Sequence, residues 1–194
     1  MDGDSWARLK DEAARCARCE LCRTRHSLVF GDGNEEARVM LIGEGPGEQE
    51  DLQGRPFVGP AGKLLDTMLE IIDLDRTKVY IANMVKCRPP RNRDPLPEEQ
   101  QACGGFLARQ IALVQPKILV CLGRIAAQGV IRADFRITRE HGHWFEQEGR
   151  LCMATYHPSA LLRDESKRPE AFEDLVKLRA MIRKVCPEVY KNEE

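Results

Sequence analysis

Apolar residues along the chain fall into two alternating patterns: short unbroken runs, and longer stretches with helical spacing. Residues 38–43 (RVMLIG), 78–83 (KVYIAN), 117–123 (KILVCLG) and 151–156 (LCMATY) are short apolar runs bounded by polar or glycine residues, as buried parallel strands are. Between them, apolar positions recur every three to four residues. Leu64, Leu65, Met68, Leu69 and Ile72 share one helical face, and Cys103, Leu107, Ile111 and Val114 share another within 98–114. A short helix is predicted over 5–14, with Asp4 or Ser5 able to cap its first amides. A second short helix over 124–131 is weakened by Gly129, and Pro169 starts a long final helix reaching Val185. The stretch 44–62 reads as a Gly/Pro loop, and a variable polar region holds Phe135, His141, His143 and Trp144.

Strands separated by helices imply βαβ units. The expected fold is α/β: three layers, αβα, around a central four-stranded parallel sheet. Residues 1–194 read as one domain, of which 1–37 form a helical, cysteine-rich lobe. A chain of 194 residues is long enough for one sizeable core and short for two. With 42% hydrophobic and 31% charged residues it should fold and not stay disordered. No apolar run is long enough for a membrane span, and the charged first residues do not suit a signal peptide, so the default expectation is cytoplasmic.

A formal net charge of −1 removes any protein-wide positive field. Local charge is uneven, because KCRPPRNR brings Lys86, Arg88, Arg91 and Arg93 together with no acid, whereas Glu188, Glu193 and Glu194 oppose one lysine in the tail. The basic loop could hold a phosphate backbone, or could be an ordinary solvated loop. Eight cysteines invite a disulfide reading, but their grouping suggests something else. Cys16, Cys19 and Cys22 are clustered, Cys87 and Cys103 flank the basic loop, and Cys121, Cys152 and Cys186 lie in or beside apolar segments. Cys16, Cys19, Cys87 and Cys103 are therefore the candidate ligands of a four-sulfur metal cage, which would suit an iron–sulfur cluster or zinc. The part played by Cys22 stays open. No flavin or nicotinamide motif accompanies the cage, which favours a structural pin over electron transfer.

In open α/β sheets, ligands bind beyond the carboxyl ends of the strands. GEGPGEQED begins as the first predicted strand ends, Asn83 closes the second, LGR closes the third, and His157, Pro158 and Ser159 follow the fourth. Topology alone thus brings distant segments to one rim. Gly43, Gly45 and Gly47 permit close approach of a ligand, but their spacing fits no nucleotide-binding template, so no nucleotide cofactor is expected. Glu44 and Glu50 could orient water or read a polar ligand, or be solvated loop carboxylates. His157, held in direction by the following proline, could donate a hydrogen bond to a developing oxyanion or shuttle a proton, or be a satisfied structural histidine. His26, His141 and His143 lack such placement, and HGHW has no obvious third ligand for zinc.

Taken in order, GEGPG followed by EQED, GRPFVGPAG, the strand ending in Asn83, VKCRPPRNR, and HPS followed by ALLR resemble the uracil-DNA glycosylase superfamily, specifically its iron–sulfur-containing family 4. The similarity runs from Cys16 to the final helix. The chain is unlike family 1, whose motif has an aspartate and a tyrosine where Gly45 and Gly47 fall. It also lacks the histidine-bearing basic insert of the variant that crosslinks to uracil.

The resemblance implies a monofunctional glycosylase that hydrolyses the N-glycosidic bond of uracil in single- or double-stranded DNA, releasing uracil and leaving an abasic site. It implies a structural [4Fe–4S] cluster on Cys16, Cys19, Cys87 and Cys103. Phe57 matches the aromatic that stacks on the flipped base, Asn83 the side chain that reads the uracil edge, and His157 the histidine that steadies charge on uracil O2. Gly43 and Gly45 belong to the same pocket, and Glu44 and Glu50 match acidic positions linked to pocket shape or to the water. Lys86, Arg88, Arg91, Arg93, Ser159 and Arg163 are candidate DNA contacts. Leu161 or Leu162 could wedge into the vacated stack, or simply pack inward. A monomer is expected, with uracil-containing DNA and downstream abasic-site repair enzymes as partners and no membrane. The rivals are a non-catalytic uracil or lesion-binding protein with an iron–sulfur cluster, an iron–sulfur redox protein, and a zinc-stabilised structural module.

Overall fold

The computed structural model describes residues 5–191, so Asp4, Glu193 and Glu194 lie outside the described residues. The chain runs through α1 (Trp6–Ala14), β1 (Asp32–Gly33), β2 (Val39–Gly43), α2 (Glu48–Gln53), α3 (Pro60–Ile71), β3 (Val79–Asn83), α4 (Pro97–Val114) and β4 (Ile118–Leu122). It continues through α5 (Arg124–Val130), α6 (Ile137–Glu140), β5 (Trp144–Gln147), β6 (Arg150–Thr155), α7 (Pro158–Arg163) and α8 (Arg168–Val185). Ser5 caps α1, accepting from the Arg8 amide at 3.3 Å.

The sheet has six strands, not four, in the order β1-β3-β2-β4-β6-β5. Its inner four strands are the apolar runs, paired in parallel, and β1 and β5 add antiparallel edges. Neither edge strand carries a long apolar run, because an edge strand needs little burial. Two further expectations are corrected. The stretch 44–62 contains α2 and the start of α3, and the polar region before β6 contains α6 and β5.

Side chains alternate across a strand, so each inner strand serves two cores. Val39, Leu41, Val79, Ile81, Ile118 and Val120 meet Leu65 and Leu69 of α3 and Leu175, Leu178 and Ile182 of α8. On the other face Met40, Ile42, Tyr80, Ala82, Leu119 and Cys121 meet Leu107 and Val114 of α4 and Ile125 and Ala126 of α5. Each such fully buried Leu or Ile contributes roughly 1.5–3 kcal/mol. A third cluster joins Leu9, Ala13 and Leu21 to Val85, Cys87, Cys103 and Phe106, which seats the cysteine-rich segment against α4. Among the described residues, no helix is long and apolar enough to cross a membrane.

From β2 the chain crosses to β3 on one side, then returns to β4 and β6 on the other. This reversal opens a crevice beyond the ends of β2 and β4, where α/β sheets place ligands.

Candidate active site

A cavity of about 710 Å³ opens at that crevice, lined by Glu44, Gly45, Glu50, Phe57, Asn83, Tyr156, His157, Ser159 and Arg163, among others. Its size suits a small-molecule or base pocket. A shallower depression of about 620 Å³ lies among Pro116, Lys117, Glu148 and Arg150, away from these groups.

The register of β2 and β3 puts Gly43 directly beside Asn83. A Cβ on residue 43 would overlap the Asn83 amide oxygen and come within 2.7 Å of the Phe57 ring, so glycine is what lets the three meet. Asn83 is only 2% exposed, and its Oδ1 is buried with no hydrogen-bond partner. Leaving a buried acceptor unpaired costs about 1–3 kcal/mol, which a ligand N–H would return.

Phe57 sits at a φ of 54°, in the left-handed region that large side chains avoid. Three residues hold this loop in place. Arg76 donates to Pro56 O at 2.9 Å and to Phe57 O, and is itself fixed by Asp66 at 2.7 Å. Glu50 accepts from the amides of Val58 and Gly59, both at 2.9 Å, and from Gly47 at 3.1 Å. Gly62 lies so close that a Cβ there would overlap the Phe57 carbonyl. Glu50 is thus committed to shaping the loop, and Arg76, Asp66 and Gly62 are supports that sequence patterning did not single out.

His157 caps α7. Its Nδ1 accepts from the Ser159 amide at 3.1 Å and lies 2.8 Å from Ser159 Oγ. An amide can only donate, so Nδ1 carries no proton and the neutral ring carries its hydrogen on Nε2. Desolvation first, then the positive charge of Arg163, pull its pKa down to about 4, against a small opposing effect of Glu50. At neutral pH it is an uncharged N–H donor. Glu44 is shifted the other way: burial, then the Asp94 charge, push its carboxyl up to about 7, with Arg124 and Arg163 opposing.

The basic loop divides. Arg88 is half-buried and donates to Asn92 Oδ1 at 2.8 Å, and Arg91 is exposed. Arg93 lines the cavity and grips Glu99 through two contacts, at 2.8 and 2.7 Å, holding that carboxyl below its usual range. Arg163 is exposed at the cavity rim. Lys86 requires a correction, since its side chain is 0% exposed and donates to Asn83 O at 2.9 Å and Gln110 Oε1 at 2.5 Å. It cannot meet a phosphate. Leu161 is likewise removed as a wedge, being 2% exposed within the core, whereas Leu162 is 42% exposed. His141 is engaged by Asp174 at 2.9 Å and Glu170 at 3.3 Å.

Cys16 and Cys19 pack against the cluster that contains Cys87 and Cys103. Burial pushes Cys87 up to about 11 and raises Cys19 and Cys103, and the charges of neighbouring thiols add to each of these three shifts. Arg25 donates to Cys87 Sγ at 3.1 Å and the Lys86 amide to Cys103 Sγ at 3.3 Å. N–H···S donors of this kind steady cluster thiolates. Among the described residues, no three Cys, His, Asp or Glu side chains are arranged to hold a single metal ion. Four thiols from three segments, two of them accepting from N–H donors, are the donor chemistry that a four-iron cluster takes.

The uracil DNA glycosylase superfamily model matches residues 30–178. The type-4 uracil-DNA glycosylase of Archaeoglobus fulgidus is 44% identical over 187 residues, covering 92% of this chain and 94% of that protein. The type-4 enzyme of Thermotoga maritima is 42% identical over 182 residues, covering 91% and 94%. The type-5 uracil-DNA glycosylase of Thermus thermophilus is 34% identical over 152 residues, covering 68% of each. The matched segment carries the strand ends, the Phe57 loop and the His157 cap that build the cavity, and with this likeness over nearly its whole length the chain belongs to the uracil DNA glycosylase superfamily.

Proposed function

We propose that the protein is a monofunctional uracil-DNA glycosylase, which hydrolyses the N-glycosidic bond of deoxyuridine in single- or double-stranded DNA and leaves an abasic site. The unpaired, buried Oδ1 of Asn83, set in one cavity with Phe57 and the N–H of His157, is the observation that carries this reading.

A base in a duplex must leave the stack before its glycosidic bond is reached, at a cost of a few kcal/mol. Phe57 offers the flipped base a flat apolar face. Asn83 accepts from uracil N3–H and donates to O4, whereas cytosine inverts that pattern and is disfavoured by roughly 1–3 kcal/mol. As the bond to the sugar breaks, negative charge gathers on uracil O2, and the neutral Nε2–H of His157 stabilises it. Water then attacks C1′, and Glu44 takes its proton, a role that a carboxyl of near-neutral pKa suits. Arg88, Arg91, Arg93, Ser159 and Arg163 contact the phosphates, and Leu162 enters the vacated stack.

Cys16, Cys19, Cys87 and Cys103 would hold a [4Fe–4S] cluster, which when bound supplies a covalent crosslink between the N-terminal segment, the basic loop and α4. The convergence of the four thiols supports this. The deciding assay incubates purified protein with uracil-containing single- and double-stranded oligonucleotides and measures free uracil and abasic strand. Release of uracil with matching abasic product is expected. Tight binding with no release under any salt condition would leave a lesion-binding protein instead.

A further inference from the structure

We propose that Lys86 is a positioning residue, a buried ammonium strut that fixes the end of β3 against α4 and so ties the base-reading amide of Asn83 to the cysteine cage. The inference rests on the reading of Asn83 given above and deepens it.

Every polar group of Lys86 is used. Its amide donates to Cys103 Sγ at 3.3 Å, and its carbonyl accepts from Val29 N at 2.8 Å. Its Nζ donates to Asn83 O at 2.9 Å and Gln110 Oε1 at 2.5 Å. Gln110 in turn donates to Phe30 O at 2.9 Å and Tyr80 OH at 3.2 Å, so the strut also reaches the end of the cysteine segment and the middle of β3. Cys103 and Gln110 are seven residues apart on α4, two turns along one face. One helix face thereby holds a cage thiol and the anchor of the Asn83 main chain.

A lysine is not needed here to fill space. A methionine has a similar length and none of the desolvation penalty of an ammonium whose two hydrogen-bond acceptors are neutral oxygens. What the ammonium adds is direction: two hydrogen bonds that set the backbone from which the Asn83 amide projects. Displacements near 1 Å at such a site are enough to weaken recognition strongly.

The test is a double-mutant cycle with iron-loaded protein, using a duplex that carries 2′-fluoro-2′-deoxyuridine, which resists cleavage, and the same duplex with cytosine. Lys86→Met should keep its iron and visible absorbance, yet lose about tenfold or more of the uracil-over-cytosine binding preference. In an Asn83→Ala background the same change should remove less than about twofold more. If Lys86→Met does not accumulate, Gln110→Met withdraws the other anchor and carries the same cycle. A lowered melting temperature with native preference, or an equal loss in both backgrounds, would overturn the strut. Full preference in Asn83→Ala alone is a different result, and overturns the base-reading assignment itself.

Discussion

The ring of Phe57 lies against the imidazole of His157, with centroids 5.5 Å apart and planes inclined by 29°. One residue comes from the loop between α2 and α3, the other from the end of β6, and neither is held by its neighbours in sequence alone. Phe57 keeps a left-handed backbone that costs of the order of 1–3 kcal/mol, and Arg76, Glu50 and Gly62 surround it closely enough to impose that geometry. The pocket is thus made by a strained loop clamped onto a rigid sheet.

Gly62→Ala tests the clamp. The added Cβ has no room beside the Phe57 carbonyl, so the loop must move. Expected are a stability loss of about 1–3 kcal/mol and a fall in uracil release of about a hundredfold, read by thermal melting and single-turnover assay. Native turnover in a folded Gly62→Ala protein would show that Phe57 is free to find its place without the clamp.

The two adjacent leucines of α7 should separate cleanly. Leu161 packs in the core, so Leu161→Ala should cost about 2–5 kcal/mol of stability. Leu162 is exposed, and Leu162→Ala should leave melting unchanged while lowering activity on duplex more than on single strands. An equal loss on both substrates would reject the wedge.

Much of the frame was legible because buried parallel strands announce themselves: the runs around Ile42, Ile81, Val120 and Met153 have little polar interruption. The rim followed, since Gly43, Asn83 and His157 stand where those runs stop. What was not legible depends on tertiary neighbours. EQEDLQ is helix α2, but it buries only Asp51 and so shows no apolar face. Trp144–Gln147 pairs with one strand only and reads as polar loop. Lys86 looked like a member of a basic patch, although Met84, Val85 and Cys87 around it are all buried, a local hint that it follows the chain inward. The grip of Arg76 on residues 56 and 57 spans about twenty positions and leaves no periodic trace.

The cysteines divide by environment. If the proposed cluster is bound, Cys87→Ala should abolish visible absorbance near roughly 400 nm and lower the melting temperature, because a ligand that would crosslink the third core cluster is removed. Cys121 and Cys152 lie on the α4–α5 face of the sheet, in a different core cluster from the four proposed ligands, so Cys121→Ala and Cys152→Ala should keep full iron. Iron per chain and absorbance check both. Equal iron loss from Cys152→Ala and Cys87→Ala would remove the assignment of ligands.

Two opposed shifts set the pH dependence. The His157 pKa is held at about 4 in the folded protein against about 6.5 when unfolded, so the unfolded chain takes up its proton first as pH falls. Stability from this residue is full above about pH 6.5 and declines toward pH 4, by at most about 3 kcal/mol. Its donor N–H survives throughout the range in which the enzyme would be assayed, and so sets no limit between pH 5 and 8. Glu44, raised to about 7, does. In the proposed role it must be ionised to accept the proton of the attacking water, so on that reading kcat/KM should rise with pH along a single limb with an apparent pKa near 7. Glu44→Gln should lose about a hundredfold or more in rate and flatten that limb, whereas His157→Ala should lose a comparable factor and leave it in place. A limb that persists in Glu44→Gln would assign the water to another group, and a limb that vanishes in His157→Ala would mean that the imidazole changes charge during turnover.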